Sequence, residues 1–197
     1  MKRLSKNNIN TPGESERIFK ERWKEELHYI DWERFVQLAR FYEGGKYLDV
    51  GCFNSPMPAE LARDFPDTEI WAIDHADYVI KTLAQRHPEV KYMSVDITKK
   101  FPFQDEYFDY VVAGEVIEHL EKPVELIGEL ARITKPGGWI AISTPKEEGM
   151  GGQNVSKEHL WGFNADDIKD MLSPYGETKL GEYKDTITTL IGFVKKQ

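Results

Sequence analysis

The 197-residue chain predicts an α/β fold, with a mostly parallel seven-stranded sheet, helices on both faces and a C-terminal antiparallel hairpin. Three observations predict it. From Lys46 onward, short β-rich runs alternate with helical stretches, as in successive right-handed βαβ crossovers. The last two runs, 178–183 and 186–194, stand around Lys184-Asp185 with no helix between them, which reads as a hairpin. Hydrophobic residues make up 40% of the chain, enough for one core, and its length suits one generous domain better than two.

The elements follow in order. Residues 1–13 are polar, end in Thr11-Pro12-Gly13 and predict a loose tail. Residues 14–43 predict a helix in two pieces, because Ile18, Trp23, Leu27, Phe35, Leu38 and Ala39 recur near helical spacing. Asp31 is placed to cap the second piece, and Gly44-Gly45 to stop it. Residues 1–45 thus form a tail and helical extension, and 46–197 the main body of one structural domain. The first strand covers 47–50. A helix over 58–65 opens after Ser55 and Pro56 and closes before Pro66. Strands over 69–73 and 90–95 flank a helix over 76–86. A fourth strand covers 108–113 and runs into a helical turn from Glu115. The helix over 124–133 is stopped by Lys135-Pro136-Gly137-Gly138, and a fifth strand covers 139–143. Residues 145–163 are polar and Gly-bearing and predict a flap, with Gly149, Gly151 and Gly152 supplying its freedom. Asn164 caps a helix that runs to about Leu172.

Charge narrows the function. Lys and Arg number 26, Asp and Glu 34, and the net charge is −8. Nucleic-acid and membrane-surface binders need positive surface, so the balance favours a small-molecule partner. The single cysteine, Cys52, permits no intramolecular disulfide and fits a reducing, cytoplasmic setting. No apolar run follows the basic start Met1-Lys2-Arg3-Leu4-Ser5-Lys6, so neither a signal peptide nor a membrane span is expected.

In an open α/β sheet, ligands bind beyond the carboxyl ends of the strands. Asp49 and Gly51 close the first strand, and Gly51 lets the backbone approach a ligand. Asp74 closes the second strand, where a carboxylate accepts from both hydroxyls of a ribose. Asp96 follows the third, placed to accept from an adenine amino group. Glu115, Glu118 and His119 (i, i+3, i+4) share one face of a helical turn beside this mouth, and His159 sits in the long loop that returns to it.

These residues carry a resemblance. Leu48-Asp49-Val50-Gly51-Cys52 resembles the first motif of the class I S-adenosylmethionine-dependent methyltransferases, and Ile73-Asp74 their second. Asp96 with the stretch from Phe101 to Val112 resembles the segment joining their adenine site to the fourth strand. Ala131 to Trp139 resembles the helix and turn before the fifth. The resemblance is to the type 11, ubiquinone-biosynthesis-like group, and implies a Rossmann-like sheet. It implies a cofactor site made by Asp49, Gly51, Cys52, Asp74, His75, Asp96, Ile97 and Glu115. It also implies methyl transfer to an oxygen or nitrogen of a small-molecule acceptor; for a hydroxyl acceptor, His119 or His159 is the catalytic candidate as a base near neutral pH. The family's Gly-x-Gly-x-Gly loop is altered here, with Phe53 and Ser55 at the later positions, and Phe53 narrows the approach to the methionine end.

Glu-x-x-Glu-His with a later His is similar to the small-RNA 3′-terminal 2′-O-methyltransferases, where two Glu and two His hold a divalent metal. That likeness makes Glu115, Glu118, His119 and His159 the candidate ligands. Two other classes stay open. One is a non-catalytic S-adenosylmethionine-binding regulator. The other is a nicotinamide oxidoreductase, which Phe53 disfavours by breaking the Gly-x-Gly-x-x-Gly pattern. Tyr175 and Lys179 have the spacing of a short-chain dehydrogenase pair, but Pro174 and Gly176 oppose the helix that pair needs.

Overall fold

The computed structural model describes residues 1–5, 10–24, 32–146, 158–184 and 188–197. The elements are β1 (Lys2–Arg3), α1 (Pro12–Lys24), α2 (Trp32–Leu38), β2 (Tyr47–Val50), α3 (Met57–Asp64), β3 (Ile70–Asp74), α4 (Asp77–Arg86) and β4 (Lys91–Ser94). They continue with β5 (Phe108–Gly114), a 3₁₀ turn (Ile117–His119), α5 (Pro123–Ile133), β6 (Thr134–Pro145), β7 (Trp161–Gly162) and α6 (Ala165–Leu172). A second 3₁₀ turn (Ser173–Tyr175), β8 (Gly176–Lys184) and β9 (Thr188–Lys196) complete the chain. The expected Asp31 cap, the flap glycines Gly149, Gly151 and Gly152, and the Asp185 turn lie outside the described residues.

The main sheet has seven strands in the order β4-β3-β2-β5-β6-β9-β8. β4, β3, β2, β5 and β6 run parallel. β9 lies antiparallel to both β6 and β8, so the last strand is inserted between them. The seven strands and the closing hairpin match the expectation, with the hairpin strands starting about two residues off it. The order reverses beside β2, which opens a crevice at the carboxyl ends of β2 and β5.

Strand alternation supplies two cores. Leu48, Val111, Ile140 and Val194 face α5 and α6, together with Leu126, Leu130, Ile168 and Leu172. Tyr47, Ala72, Tyr110, Val112, Ala141 and Phe193 face the other way, against Leu38 of α2 and Met57 and Leu61 of α3. Burial on both faces explains why the parallel strands read as nearly continuous apolar runs. Asn164 caps α6 with a reciprocal capping box, its side chain accepting from the Asp167 N–H at 2.9 Å while Asp167 accepts from the Asn164 N–H at 3.0 Å.

The start of the chain corrects the loose-tail expectation. Lys2 and Arg3 pair antiparallel with Gly162 and Trp161, and the Leu4 N–H donates to Leu160 O at 2.7 Å. The Arg3 guanidinium forks onto both oxygens of Glu121 at 2.8 and 3.0 Å and lies over the Trp161 ring. A polar segment becomes ordered here because its backbone groups find a strand to pair with. Among the described residues, no helix is long and apolar enough to cross a membrane.

Candidate functional site

A cavity of about 1000 Å³ occupies the crevice. Its floor is the turn after β2 (Gly51 to Ser55), the end of β3 (Asp74, His75) and the end of β5 (Gly114 to Val116). Its roof comes from Asn10, from Glu14, Ser15 and Ile18 of α1, and from Arg34, Phe35 and Leu38 of α2. Ile97, Thr98, His119 and His159 also line it.

The residues expected to hold the cofactor are held by backbone. Gly51 has φ +70°, and a Cβ there would meet Val116 Cγ2 at 2.6 Å, so only glycine fits this turn. Its N–H and that of Cys52 donate to Ile73 O at 2.8 and 3.0 Å, extending β3's register around the corner. Phe53 follows with φ +41°. Its N–H donates to Asp74 Oδ2 at 3.0 Å, while the Ala76 N–H donates to Asp74 Oδ1 at 2.9 Å. The Asp74 carboxylate is thus gripped at both oxygens, and each keeps a lone pair for a ligand hydroxyl. His75 lines the cavity and its Nε2 lies 2.7 Å from Ser15 Oγ of α1. The Phe53 ring packs edge-on against Phe19, so the residue in the glycine position ties α1 over the turn.

Asp49 is buried beneath Gly51. Burial pushes its carboxyl up to about 7, opposed by a hydrogen bond from Ser55 and the charge of Arg34 and reinforced by Asp74. Cys52 lines the cavity as a buried side chain whose thiol is pushed well up by burial. It acts here as a small packed group rather than a thiolate.

Asp96 departs from its expected place. It does not line the cavity, although its neighbour Ile97 does. Its Oδ1 accepts from the Thr98 N–H and Oγ at 3.1 and 2.6 Å, and its Oδ2 pairs with Lys99 at 2.9 Å. The Thr98 hydrogen bond and Lys99 hold it down at about 2. A short acid two residues before a threonine closes its own turn, and that local bond competes with any ligand.

The opposite wall holds the Glu115–His119 cluster. Glu115 adopts φ +57° at the end of β5, and its Oε1 accepts from Ser143 Oγ at 3.0 Å. Arg34 approaches its other oxygen at 3.9 Å. Glu118 is 1% exposed. Its Oε2 accepts from Thr144 Oγ1 at 3.1 Å, and its Oε1 is buried with no hydrogen-bond partner among the described residues. Burial raises both carboxyls, and Glu118 raises Glu115 further. His119 is lowered by burial and then by His159, which keeps its imidazole neutral near pH 7.

The His119 and His159 rings stand edge to face at 4.8 Å. Ligand atoms of Glu118, His119 and His159 lie within 4.8 Å of one another. The structure therefore brings together three of the four expected metal ligands, while Glu115 turns toward Ser143 and Arg34. Arg34, Asn10 and Ser143 were not foreseen as site residues. Arg34 is one charged residue on the expected second helical piece, and nothing local marks it.

The family model described as "Methyltransferase domain" matches residues 48–142. That span runs from the first parallel strand through most of β6 and contains Asp49, Gly51, Asp74 and His119 but not His159. The chain is 32% identical over 108 residues to a ubiquinone biosynthesis O-methyltransferase of Paracidovorax citrulli, covering 52% of this chain and 44% of that one. It spans about half the length of the curated relatives it matches. Among solved structures, a SAM-dependent methyltransferase from Aquifex aeolicus superposes with TM-score 0.66 at 18% identity, covering 94% of this chain and 99% of that one. A putative methyltransferase solved with the Haloferax volcanii Trm112 activator gives TM-score 0.70 at 15% identity, over 94% and 97% of the two chains. At such identities the structural likeness shows the fold: the Rossmann-like sheet of class I methyltransferases.

Proposed function

We propose that the chain is an S-adenosylmethionine-dependent methyltransferase acting on an oxygen or nitrogen of a small-molecule acceptor, which meets the cofactor beside His119 and His159. The observation that carries this reading is the single cavity that joins the Gly51–Asp74 wall to the histidine pair. The residues present fit the cofactor. Gly51 leaves the turn without a side chain, Asp74 offers two fixed lone pairs to a ribose, and Ile97 supplies an apolar edge. When bound, S-adenosylmethionine supplies an electrophilic methyl group. The chain's own part is to bind, align and exclude water.

With a hydroxyl acceptor, a neutral imidazole near the reacting oxygen takes its proton, and His119 is kept neutral by its surroundings. Its Nδ1 lies 3.1 Å from Glu158 O, so as the Nδ1–H tautomer it donates there and leaves Nε2 as the basic atom. Glu118, His119 and His159 also fit a divalent ion. The unpartnered Glu118 Oε1 supports that fit, and a mixed oxygen and nitrogen set suits Mn, Fe or Zn better than Ca. Such an ion would lower the pKa of an acceptor hydroxyl and favour a vicinal-diol or catechol-like acceptor. Glu115 supports the cluster from beside it.

An acceptor screen that detects S-adenosylhomocysteine tests the reading. Turnover with any acceptor supports it. Binding of S-adenosylmethionine without turnover across oxygen and nitrogen acceptors would favour a regulator, and binding of a nicotinamide cofactor instead would overturn it.

A further inference from the structure

The two histidines come from segments 40 residues apart in sequence (159 − 119), and no element of the main sheet joins them directly. What joins them is a set of hydrogen bonds between the turn at Glu118–Leu120 and the segment at Glu158–Trp161, among them the contact of His119 Nδ1 with Glu158 O at 3.1 Å. The Leu160 N–H donates to Glu118 O at 2.7 Å, and the Trp161 indole donates to Leu120 O at 2.9 Å.

The start of the chain lies across both segments. The Asn10 amide donates to His119 O at 3.2 Å and to Glu158 O at 2.8 Å, so one side chain grips the residue before His159 and His119 itself. Further along, Leu4 bonds Leu160, Lys2 and Arg3 pair with Gly162 and Trp161, and Arg3 forks onto Glu121 on the turn's far side. Asn10 also lines the cavity. A polar side chain that satisfies two carbonyls from two segments sets their spacing, because moving either one breaks a bond.

We infer that Asn10, backed by the β1 strap, is a positioning residue that holds His119 and His159 in contact. This deepens the proposed function and rests on its placement of the acceptor beside the histidines. The effect acts through the two imidazoles, since the Asn10 amide bonds lead to His119 and Glu158.

The test uses the full chain and needs neither acceptor nor metal. Rings 4.8 Å apart give a nuclear Overhauser effect between the His119 and His159 imidazole protons. In Asn10→Ala this cross-peak is expected to vanish or fall severalfold, while S-adenosylhomocysteine affinity by calorimetry stays within about twofold. Asn10→Asp keeps the shape but loses the amide donor, and is expected to lose the cross-peak as the alanine variant does. Arg3→Ala releases the strap at an exposed point without touching the cavity, and is expected to weaken the cross-peak less. An undiminished cross-peak in Asn10→Ala and Asn10→Asp overturns the inference. Should both misfold, an undiminished cross-peak in Arg3→Ala overturns it. Failure of the parent to release S-adenosylhomocysteine with any acceptor would instead count against the proposed function, because the ring contact is read without turnover.

Discussion

The two walls of the cavity are built in different ways. The Gly51–Asp74 wall is made by adjacent parallel strands, and its acid is gripped by N–H groups of Phe53 and Ala76. Its backbone frame lies between β2 and α4, with α1 packed over it through Ser15 and Phe19. The histidine wall is assembled from the start of the chain, the turn after β5, the end of β6 and the segment entering β7. The first wall follows once the sheet forms. The second depends on long-range contacts that another sequence on the same sheet need not make. Under the proposed function, cofactor recognition would be a property of the fold and acceptor recognition a property of this chain.

The largest expected effect strikes the second wall alone. With the acceptor found by the screen, His119→Ala should lower turnover by about a hundredfold or more and leave S-adenosylhomocysteine affinity intact. A chelator then sharpens the result. Loss of activity with chelator and recovery with Mn²⁺ would show an ion at Glu118, His119 and His159. Activity indifferent to chelator, with His119→Ala still dead, would leave His119 as the base. A silent His119→Ala would remove the distinction between the walls.

The next effect strikes the first wall. Gly51→Ala forces a side chain into a φ of +70° and against Val116. Strain of about 1–3 kcal/mol should weaken S-adenosylhomocysteine binding roughly tenfold or more by calorimetry. Two acids then separate local from ligand duty. Asp74→Ala removes a fixed acceptor worth about 1.5–3 kcal/mol and should lower cofactor affinity at least roughly tenfold. Asp96→Ala, whose carboxylate serves Thr98 and Lys99, should leave affinity within about twofold. A large loss in Asp96→Ala would mean that its side chain turns inward on binding.

The smallest effect concerns pH. Asp49 rises from 3.8 to about 7 on folding, so between those values the folded chain holds a proton that the unfolded chain has lost. Stability should therefore be fullest below pH 4 for this group and fall as pH rises toward 7. Glu115 and Glu118 are raised too and act in the same direction. Asp49→Asn should flatten, without abolishing, the decline in urea midpoint between pH 4 and 7. An unchanged slope would show that Asp49 is better solvated than its burial implies.

The same contrast governs what was legible in the sequence. Short β-rich runs alternating with helical stretches exposed the parallel sheet, the absence of a helix between the last two runs exposed the hairpin, and residue type exposed the Asn164 cap, because those are local patterns. Asp49, Gly51 and Asp74 were legible because strand ends in this fold class converge on a crevice. Lys2–Arg3 was not, since two residues carry no periodicity and their partner lies far along the chain. Arg34 and Asn10 were hidden for the same reason, being ordinary polar residues until tertiary contacts aim them. Asp96 carries a competing local bond to Thr98 that its place at a strand end does not reveal.

The insertion of β9 between β6 and β8 bears on synthesis. β6 is translated well before the strand that covers its open edge, and β8 emerges first with nothing in the sheet to pair with. As the chain leaves the ribosome, β4, β3, β2, β5 and β6 can form while β6 still exposes a row of unpaired N–H and C=O groups. Such an edge invites pairing with a neighbouring nascent chain. Nascent chains stalled between β8 and β9 should therefore engage chaperones more than chains stalled after Lys196, and completion of β9 should be the step that makes the product resistant to aggregation.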